Sequence, residues 1–150
     1  MIIAFACDHG GFVFRENILK HLADLRHTII DVWPQFIEPL DDFPDYALRV
    51  AQSLQDKTAE RWILICGTGI GMCIAANRFR WINAAVLYSP EIATIARKHN
   101  DVNIACFGAR TMQIEEVLKT LDIFLIEPFL WGKYERRGHM IDDNSCESCT

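Results

Sequence analysis

No uncharged apolar run in the 150-residue sequence approaches the roughly 18 residues that a membrane span requires. Neither sign of charge is concentrated: 15 basic residues face 20 acidic ones, a net charge of −5. Bulk nucleic-acid binding needs a dense basic face and is excluded; no block is long enough for a charged interaction tail. The N-terminal stretch Met1-Ile2-Ile3-Ala4-Phe5-Ala6-Cys7-Asp8 lacks the basic start and the length of a signal peptide. The expectation is a soluble, cytoplasmic chain. Repeats, low-complexity segments and internal linkers are absent. With 51% hydrophobic and 23% charged residues, disorder is excluded, and the length suits one domain over residues 1–150.

Six cysteines are present. Cys7, Cys66, Cys73 and Cys106 lie in or beside apolar stretches, as reduced thiols of a cytosolic protein do. Cys146 and Cys149 form a C-x-x-C in a polar tail. A zinc site would want a second ligand pair, and a thioredoxin-type motif would open a helix after a strand. Neither context is present, so the tail pair is read as non-functional.

Two kinds of segment alternate along the chain. Short apolar runs, Ile2–Cys7, Thr28–Val32, Trp62–Cys66, Ala84–Tyr88 and Asn103–Phe107, read as strands buried on both faces. Between them, apolar residues recur three and four apart over Phe12–Leu25, Asp45–Leu54, Gly71–Phe79, Pro90–His99 and Met112–Leu125. A long irregular loop, Pro34–Asp42, follows the second strand, and the tail from Glu127 leaves the pattern. The βαβ rhythm predicts an α/β fold: a five-stranded parallel sheet, doubly wound, in a three-layer α-β-α sandwich. Ligands of such folds bind beyond the carboxyl ends of the strands.

The residues after each strand therefore carry the functional reading. After the first come Asp8 and His9 before Gly10 and Gly11, an acid and an imidazole or merely a helix cap. After the third comes Cys66-Gly67-Thr68-Gly69-Ile70-Gly71. Alternating glycines at a helix start expose several N–H groups to one anion, and a thiol beside such an end is expected to ionise more readily. A tight turn beside an inert Cys66 is the bland alternative. Met72 stands where a dinucleotide fingerprint needs glycine and where a cysteine phosphatase needs arginine. The third strand lacks the terminal aspartate of a phospho-acceptor domain. Further on, Lys98-His99-Asn100-Asp101 reads as a helix cap or a second imidazole site. Arg110, opening the last predicted helix, can grip a phosphate or form a surface ion pair. Arg136, Arg137 and His139 form a basic patch in the tail.

Taken together, the segments Cys7-Asp8-His9-Gly10-Gly11-Phe12, Asp42-Phe43-Pro44-Asp45-Tyr46-Ala47, Ile65 to Gly71, Ala75-Ala76-Asn77, His99 to Asn103 and Phe107-Gly108-Ala109-Arg110 resemble the ribose-5-phosphate isomerase B and galactose-6-phosphate isomerase subunit family, in family order over about residues 1–126. The resemblance implies a flavodoxin-like sheet, a homodimer or tetramer with shared sites completed by residues 127–150, and interconversion of an aldose phosphate and a ketose phosphate without metal or nucleotide. Cys66 would be the carbon base and Thr68 would move protons between oxygens. His99 would open the furanose ring, with Asp8 holding ring hydroxyls. His9 and Arg110 would contact phosphate. Asn100 and the Gly67, Gly69, Ile70 and Gly71 turn would steady the enediolate. One departure stands out. The family follows its tail aromatic with Gly-Gly-Arg-His and a further arginine, whereas Gly138 and Asp142 occupy the two arginine positions here, leaving Arg136 and Arg137 to substitute.

That chemistry suits these groups. Moving a carbonyl from C1 to C2 requires a base for a weakly acidic C–H and donors for the growing oxyanion. Sugar phosphates are mostly cyclic, so a group titrating near neutrality, such as an imidazole, is also needed. A remote phosphate supplies binding energy for orientation. Two alternatives accompany ribose 5-phosphate: another aldose, either a hexose 6-phosphate or an unphosphorylated sugar, and a non-catalytic sugar-phosphate-binding subunit.

Overall fold

A computed structural model describes residues 1–32, 42–55 and 58–143. The predicted loop Pro34–Asp42, apart from Asp42 itself, and the Cys146/Cys149 pair lie outside the described residues. Five strands, β1 (Ile2–Cys7), β2 (Thr28–Asp31), β3 (Arg61–Cys66), β4 (Ala84–Val86) and β5 (Ile104–Gly108), form one parallel sheet in the order β2-β1-β3-β5-β4. Helices α1 (Arg15–Asp24), α4 (Pro90–Asn100) and α5 (Ile114–Ile126) cover one face, and α2 (Phe43–Gln55) and α3 (Ile70–Ala76) the other. Steps in one direction along the sheet use one face and steps in the other direction use the opposite face. That is what right-handed crossovers require. The doubly wound fold is thus the one expected. Its order departs from the flavodoxin 2-1-3-4-5 sequence by exchange of the last two strands: fully buried β5 takes the inner place and three-residue β4 the edge.

Apolar side chains alternate between the two faces of the sheet. Ile3, Phe5, Ile63, Ile65 and Phe107 pack under α1, α4 and α5, while Ala4, Ala6, Leu64 and Cys106 pack under α2 and α3. Burial on both faces holds for β1, β3 and β5. It fails for β2 and β4, which are half-exposed because they are the edges. Among the described residues, no helix is long and apolar enough to cross a membrane.

Local chemistry sets the helix ends. Ser89 accepts from the Ile92 N–H at 3.3 Å with Pro90 just behind it. Gln113 and Glu116 form a reciprocal capping box. The first predicted helix opens instead as a 3₁₀ turn, Phe12–Phe14. The tail predicted to leave the pattern contains a further helix, α6 (Lys133–Asp143), reached through Gly132 at φ 75°. Its polar sequence gives it no apolar stripe to read.

Candidate active site

The crossovers change direction between β1 and β3, and the crevice at the carboxyl ends of these two strands is the place where open α/β sheets hold ligands. The Asp8 N–H donates to the Ile65 carbonyl at 3.1 Å, extending the β1–β3 ladder by one rung. Asp8 is buried, and its Oδ1 accepts from the Gly11 N–H at 2.9 Å. A Cβ on Gly11 would lie 2.4 Å from the Ile65 carbonyl oxygen, so only glycine lets the chain pass this close to β3.

The β3 turn is held in the same way. Ala109 and Arg110 donate their N–H groups to the carbonyls of Cys66 and Gly67, both at 2.9 Å. Cys66 is only 5% exposed, and its Sγ accepts from the Gly69 N–H at 3.1 Å. Gly69 reaches that geometry at φ 77°, in the left-handed region. Thr68 Oγ1 accepts from the Ile70 N–H at 3.3 Å. Ile70 opens α3, is exposed, and does not line the crevice. The result is a depression of about 240 Å³ lined by Asp8, His9, Phe43, Cys66, Thr68 and Arg110, with Gly67 and Gly71 in its wall. It holds a thiol, a carboxylate, an imidazole, a hydroxyl and a guanidinium around backbone donors. Phe43, which closes over Gly71, falls in the Asp42-Phe43-Pro44-Asp45-Tyr46-Ala47 segment that carries the resemblance, but its residue type gave it no role in the site.

His99 and Asn100 are not there. Because every strand is parallel, α4 runs back from the carboxyl end of β4 to the amino end of β5. Over its 11 residues it carries His99 about 14 Å back toward the amino end of the sheet. Both residues lie in the last turn of the helix, and the left-handed cap is Asp101, at φ 47°. The His99 ring stacks on Tyr134 of α6, centroids 4.2 Å apart and planes at 7°. Buried Arg97, 2% exposed, ties this corner together: it donates to Asp101 Oδ1 at 2.7 Å, the Val102 carbonyl at 2.6 Å and the Glu127 carbonyl at 3.2 Å. Leu130 N–H returns to the Lys98 carbonyl at 3.0 Å.

His99, Asn100 and Arg137 line a second depression, of about 640 Å³, between α4, β4 and α6. Neighbouring helical residues point about 100° apart, so Arg136 points away from Arg137, and it lines neither this depression nor the crevice. On one chain the two arginines therefore face different directions. Asp142 and His139 face a third depression, of about 210 Å³, with Trp81 and Trp131, while Gly138 borders both. Of the residues singled out in the sequence, one chain gathers Asp8, His9, Cys66, Gly67, Thr68, Gly69, Gly71 and Arg110 around one crevice. It leaves His99, Asn100, Arg136 and Arg137 elsewhere. Among the described residues, no group of three or more His, Cys, Asp or Glu side chains is placed to hold a metal ion.

Residues 3–141 match the sequence family Ribose/Galactose Isomerase. The chain belongs to that family. Escherichia coli ribose-5-phosphate isomerase B is 38% identical to it over 139 residues, 93% of each chain. A solved ribose 5-phosphate isomerase from Thermotoga maritima matches with a TM-score of 0.91 and 40% identity, over 95% of this chain and 97% of that one. Ribose-5-phosphate isomerase B from Mycoplasma genitalium, solved with bound ribulose-5-phosphate, matches with a TM-score of 0.91 and 34% identity, over 98% and 97%. The ribose/galactose isomerase match runs through both halves of the candidate site and ends within α6, at Ile141.

Proposed function

We propose that this chain is an aldose–ketose isomerase interconverting ribose 5-phosphate and ribulose 5-phosphate, working in the cytoplasm without a cofactor. The observation that carries the reading is Cys66 in the floor of the crevice, its sulfur facing the Gly69 N–H at 3.1 Å. The Cys66 thiolate takes the proton from C2 of the open-chain aldose. Electrons move through the enediolate, Thr68 transfers a proton between O1 and O2, and the thiol returns a proton to C1. A positioned base contributes about 10²–10⁴-fold, and a donor aimed at the oxyanion about 3–4 kcal/mol. Backbone N–H groups of the glycine turn supply such donors. His9 and Arg110 hold the phosphate from one wall.

Ring opening is assigned to His99, and its distance from Cys66 within one chain supports a homodimer. A second copy would bring His99, Asn100 and Arg137 to the first copy's crevice, and the tail segment that holds α6 would complete its neighbour's site within one single-domain chain. A second reading, another aldose with a different far end, is favoured by the lack of an arginine at positions 138 and 142 of α6: Gly138 borders the depression that Arg137 lines and Asp142 the neighbouring one, and a carboxylate near phosphate is repulsive. The presence of Cys66, Thr68 and His99 disfavours a non-catalytic subunit. The test is turnover by the purified chain with ribose 5-phosphate, allose 6-phosphate and free aldoses, together with wash-out of deuterium from C2. Retention of the label with every sugar overturns the isomerase reading.

A further inference from the structure

A second thiol centre sits behind the crevice. Cys73, in the middle of α3, is half-exposed; Cys106, on β5, is fully buried beneath it. Cys106 and Cys66 lie on the same face of the sheet, in the layer under α2 and α3, two residues apart in register: Leu64 pairs with Cys106 and Cys66 with Gly108. Cys73 packs against the buried cluster that holds Cys106. Asn77 Nδ2 donates to Cys73 Sγ at 3.5 Å, and the same sulfur lies 3.4 Å from the Ala84 carbonyl. Cys73 is itself half-exposed, and its neighbours Asn77 and Ala84 line the 640 Å³ depression. Nothing in the isomerase reading uses either thiol.

We infer that Cys73 and Cys106 form a reversible disulfide site, with Cys73 as the sulfur that meets a peroxide and Cys106 as the sulfur that captures the product. Cys73 thiolate breaks the O–O bond, becoming a sulfenic acid as hydroxide leaves and takes up a proton to give water. The Cys106 sulfur then displaces the sulfenic hydroxyl: the S–S bond forms, the S–O bond breaks and a second water leaves. Two thiols lose two electrons and one peroxide gains them. A dithiol reverses the step by exchange.

The order of events follows from the two environments. Hydrogen bonds from Cys106 and Asn77 bring Cys73 down to about 7, whereas burial pushes Cys106 well up. The partly exposed sulfur is therefore the nucleophile and the buried one the resolver. The link also reaches the crevice. Cys73 N–H donates to the Gly69 carbonyl at 3.1 Å, and Gly69 N–H donates to Cys66 Sγ. Closing the two sulfurs to the roughly 2.05 Å of a disulfide draws α3 toward β5 and moves that turn. In this one respect the inference rests on the isomerase reading.

The experiment uses the full chain with Cys146→Ser and Cys149→Ser, so that tail thiols do not compete. It is treated with hydrogen peroxide, blocked with iodoacetamide and peptide-mapped. The expected result is a Cys73–Cys106 linked peptide, Cys66 recovered alkylated, and loss of the link on dithiothreitol. Cys73→Ser abolishes the link. In Cys106→Ala the Cys73 sulfenic acid persists and is trapped by dimedone. Turnover falls roughly ten- to hundredfold on oxidation and returns with dithiothreitol, whereas Cys73→Ser turns over normally and resists peroxide. Oxidation of Cys66 before Cys73, or Cys73 recovered alkylated after peroxide, overturns the site; a link without change in turnover overturns its coupling to the crevice. The link is read by mass, so its absence leaves the isomerase reading standing, and absent turnover leaves the link measurable.

Discussion

Asn77 satisfies both backbone groups of Ala84: its Nδ2 donates to the Ala84 carbonyl at 2.9 Å and its Oδ1 accepts from the Ala84 N–H at 2.8 Å. A carboxamide thereby takes the place of a sixth strand at the first residue of edge strand β4. That pairing occupies groups that an open sheet edge would otherwise offer to other chains. Asn103 fastens the approach to the strand from the β5 side, accepting from the Asn83 N–H at 2.9 Å and donating to the Trp81 carbonyl at 2.8 Å.

Asn77→Asp keeps the acceptor and loses the donor, and Asn77→Ala loses both. We expect losses of about 1–2 kcal/mol for the alanine variant, with aspartate intermediate. Urea unfolding measures this. Equal stability of wild type and Asn77→Ala would show that water replaces the clamp without cost.

Two glycines give opposite expectations. Gly11→Ala drives a Cβ into the Ile65 carbonyl, so the β1 turn has to move; we expect at least about 2 kcal/mol of destabilisation together with loss of activity through Asp8. Gly138 lies inside α6 with open space around its would-be Cβ, and Gly138→Ala should stabilise by about 0.5–1 kcal/mol. Thermal unfolding of the two variants, read side by side, tests the backbone geometry at both places.

Much of this architecture was legible in the sequence. Continuous apolar runs such as Trp62–Cys66 mark central strands because both faces are covered. The same signal does not order strands in a sheet, so edge strands Thr28–Asp31 and Ala84–Val86 read like inner ones. Helix α6 escaped detection because residues such as Lys133, Glu135, Arg136 and Arg137 form no apolar stripe; the helix is anchored by contacts distant in sequence, chiefly Tyr134 on His99. The crevice was legible because its parts follow strands. The separation of His99 from Cys66 follows from the parallel order, which returns α4 to the amino end of the sheet; the seat of His99 against Tyr134 was not legible, since it depends on a helix without an apolar stripe.

Removing Arg97 should unfasten that far edge. Arg97→Met leaves the Val102 and Glu127 carbonyls without their donor and Asp101 without its cation, a loss of about 3 kcal/mol. Arg97→Lys restores charge but not the three-way geometry and should fall between. Chemical denaturation gives the stabilities.

Orientation on α6 separates the two tail arginines. Arg137→Ala should raise KM for ribose 5-phosphate about tenfold, the equivalent of losing about 1.4 kcal/mol of contact, while Arg136→Ala leaves it within twofold. The reverse ranking would turn α6 relative to the site, and no effect from either would assign the phosphate to His9 and Arg110 alone.

The roles of Cys66 and His99 separate by substrate. Cys66→Ala should abolish turnover of every aldose while leaving the fold intact by circular dichroism. His99→Asn should lose activity on ribose 5-phosphate yet keep it on erythrose 4-phosphate, whose esterified C4 oxygen cannot close a furanose. Matching losses on both sugars would take ring opening away from His99.

Cys73 makes a pH dependence with a definite sign. Its thiol ionises at about 7 in the fold against 9.0 ordinarily, the Cys106 hydrogen bond being the largest cause. Between those values the unfolded chain holds a proton that the folded chain has released, so stability rises with pH across that window and the contribution is gone below pH 7. Because Cys73 is half-exposed, solvent screening reduces the effect to about 1 kcal/mol. The quantity to measure is the change in unfolding free energy from pH 7 to pH 9, in wild type and in Cys73→Ser. Other titrating groups are shared and cancel, so wild type should gain more than the variant over that interval. Iodoacetamide capture of Cys73 should show its midpoint near pH 7. Parallel stability changes and a midpoint near 9 would place the thiolate outside the network formed by Cys106 and Asn77.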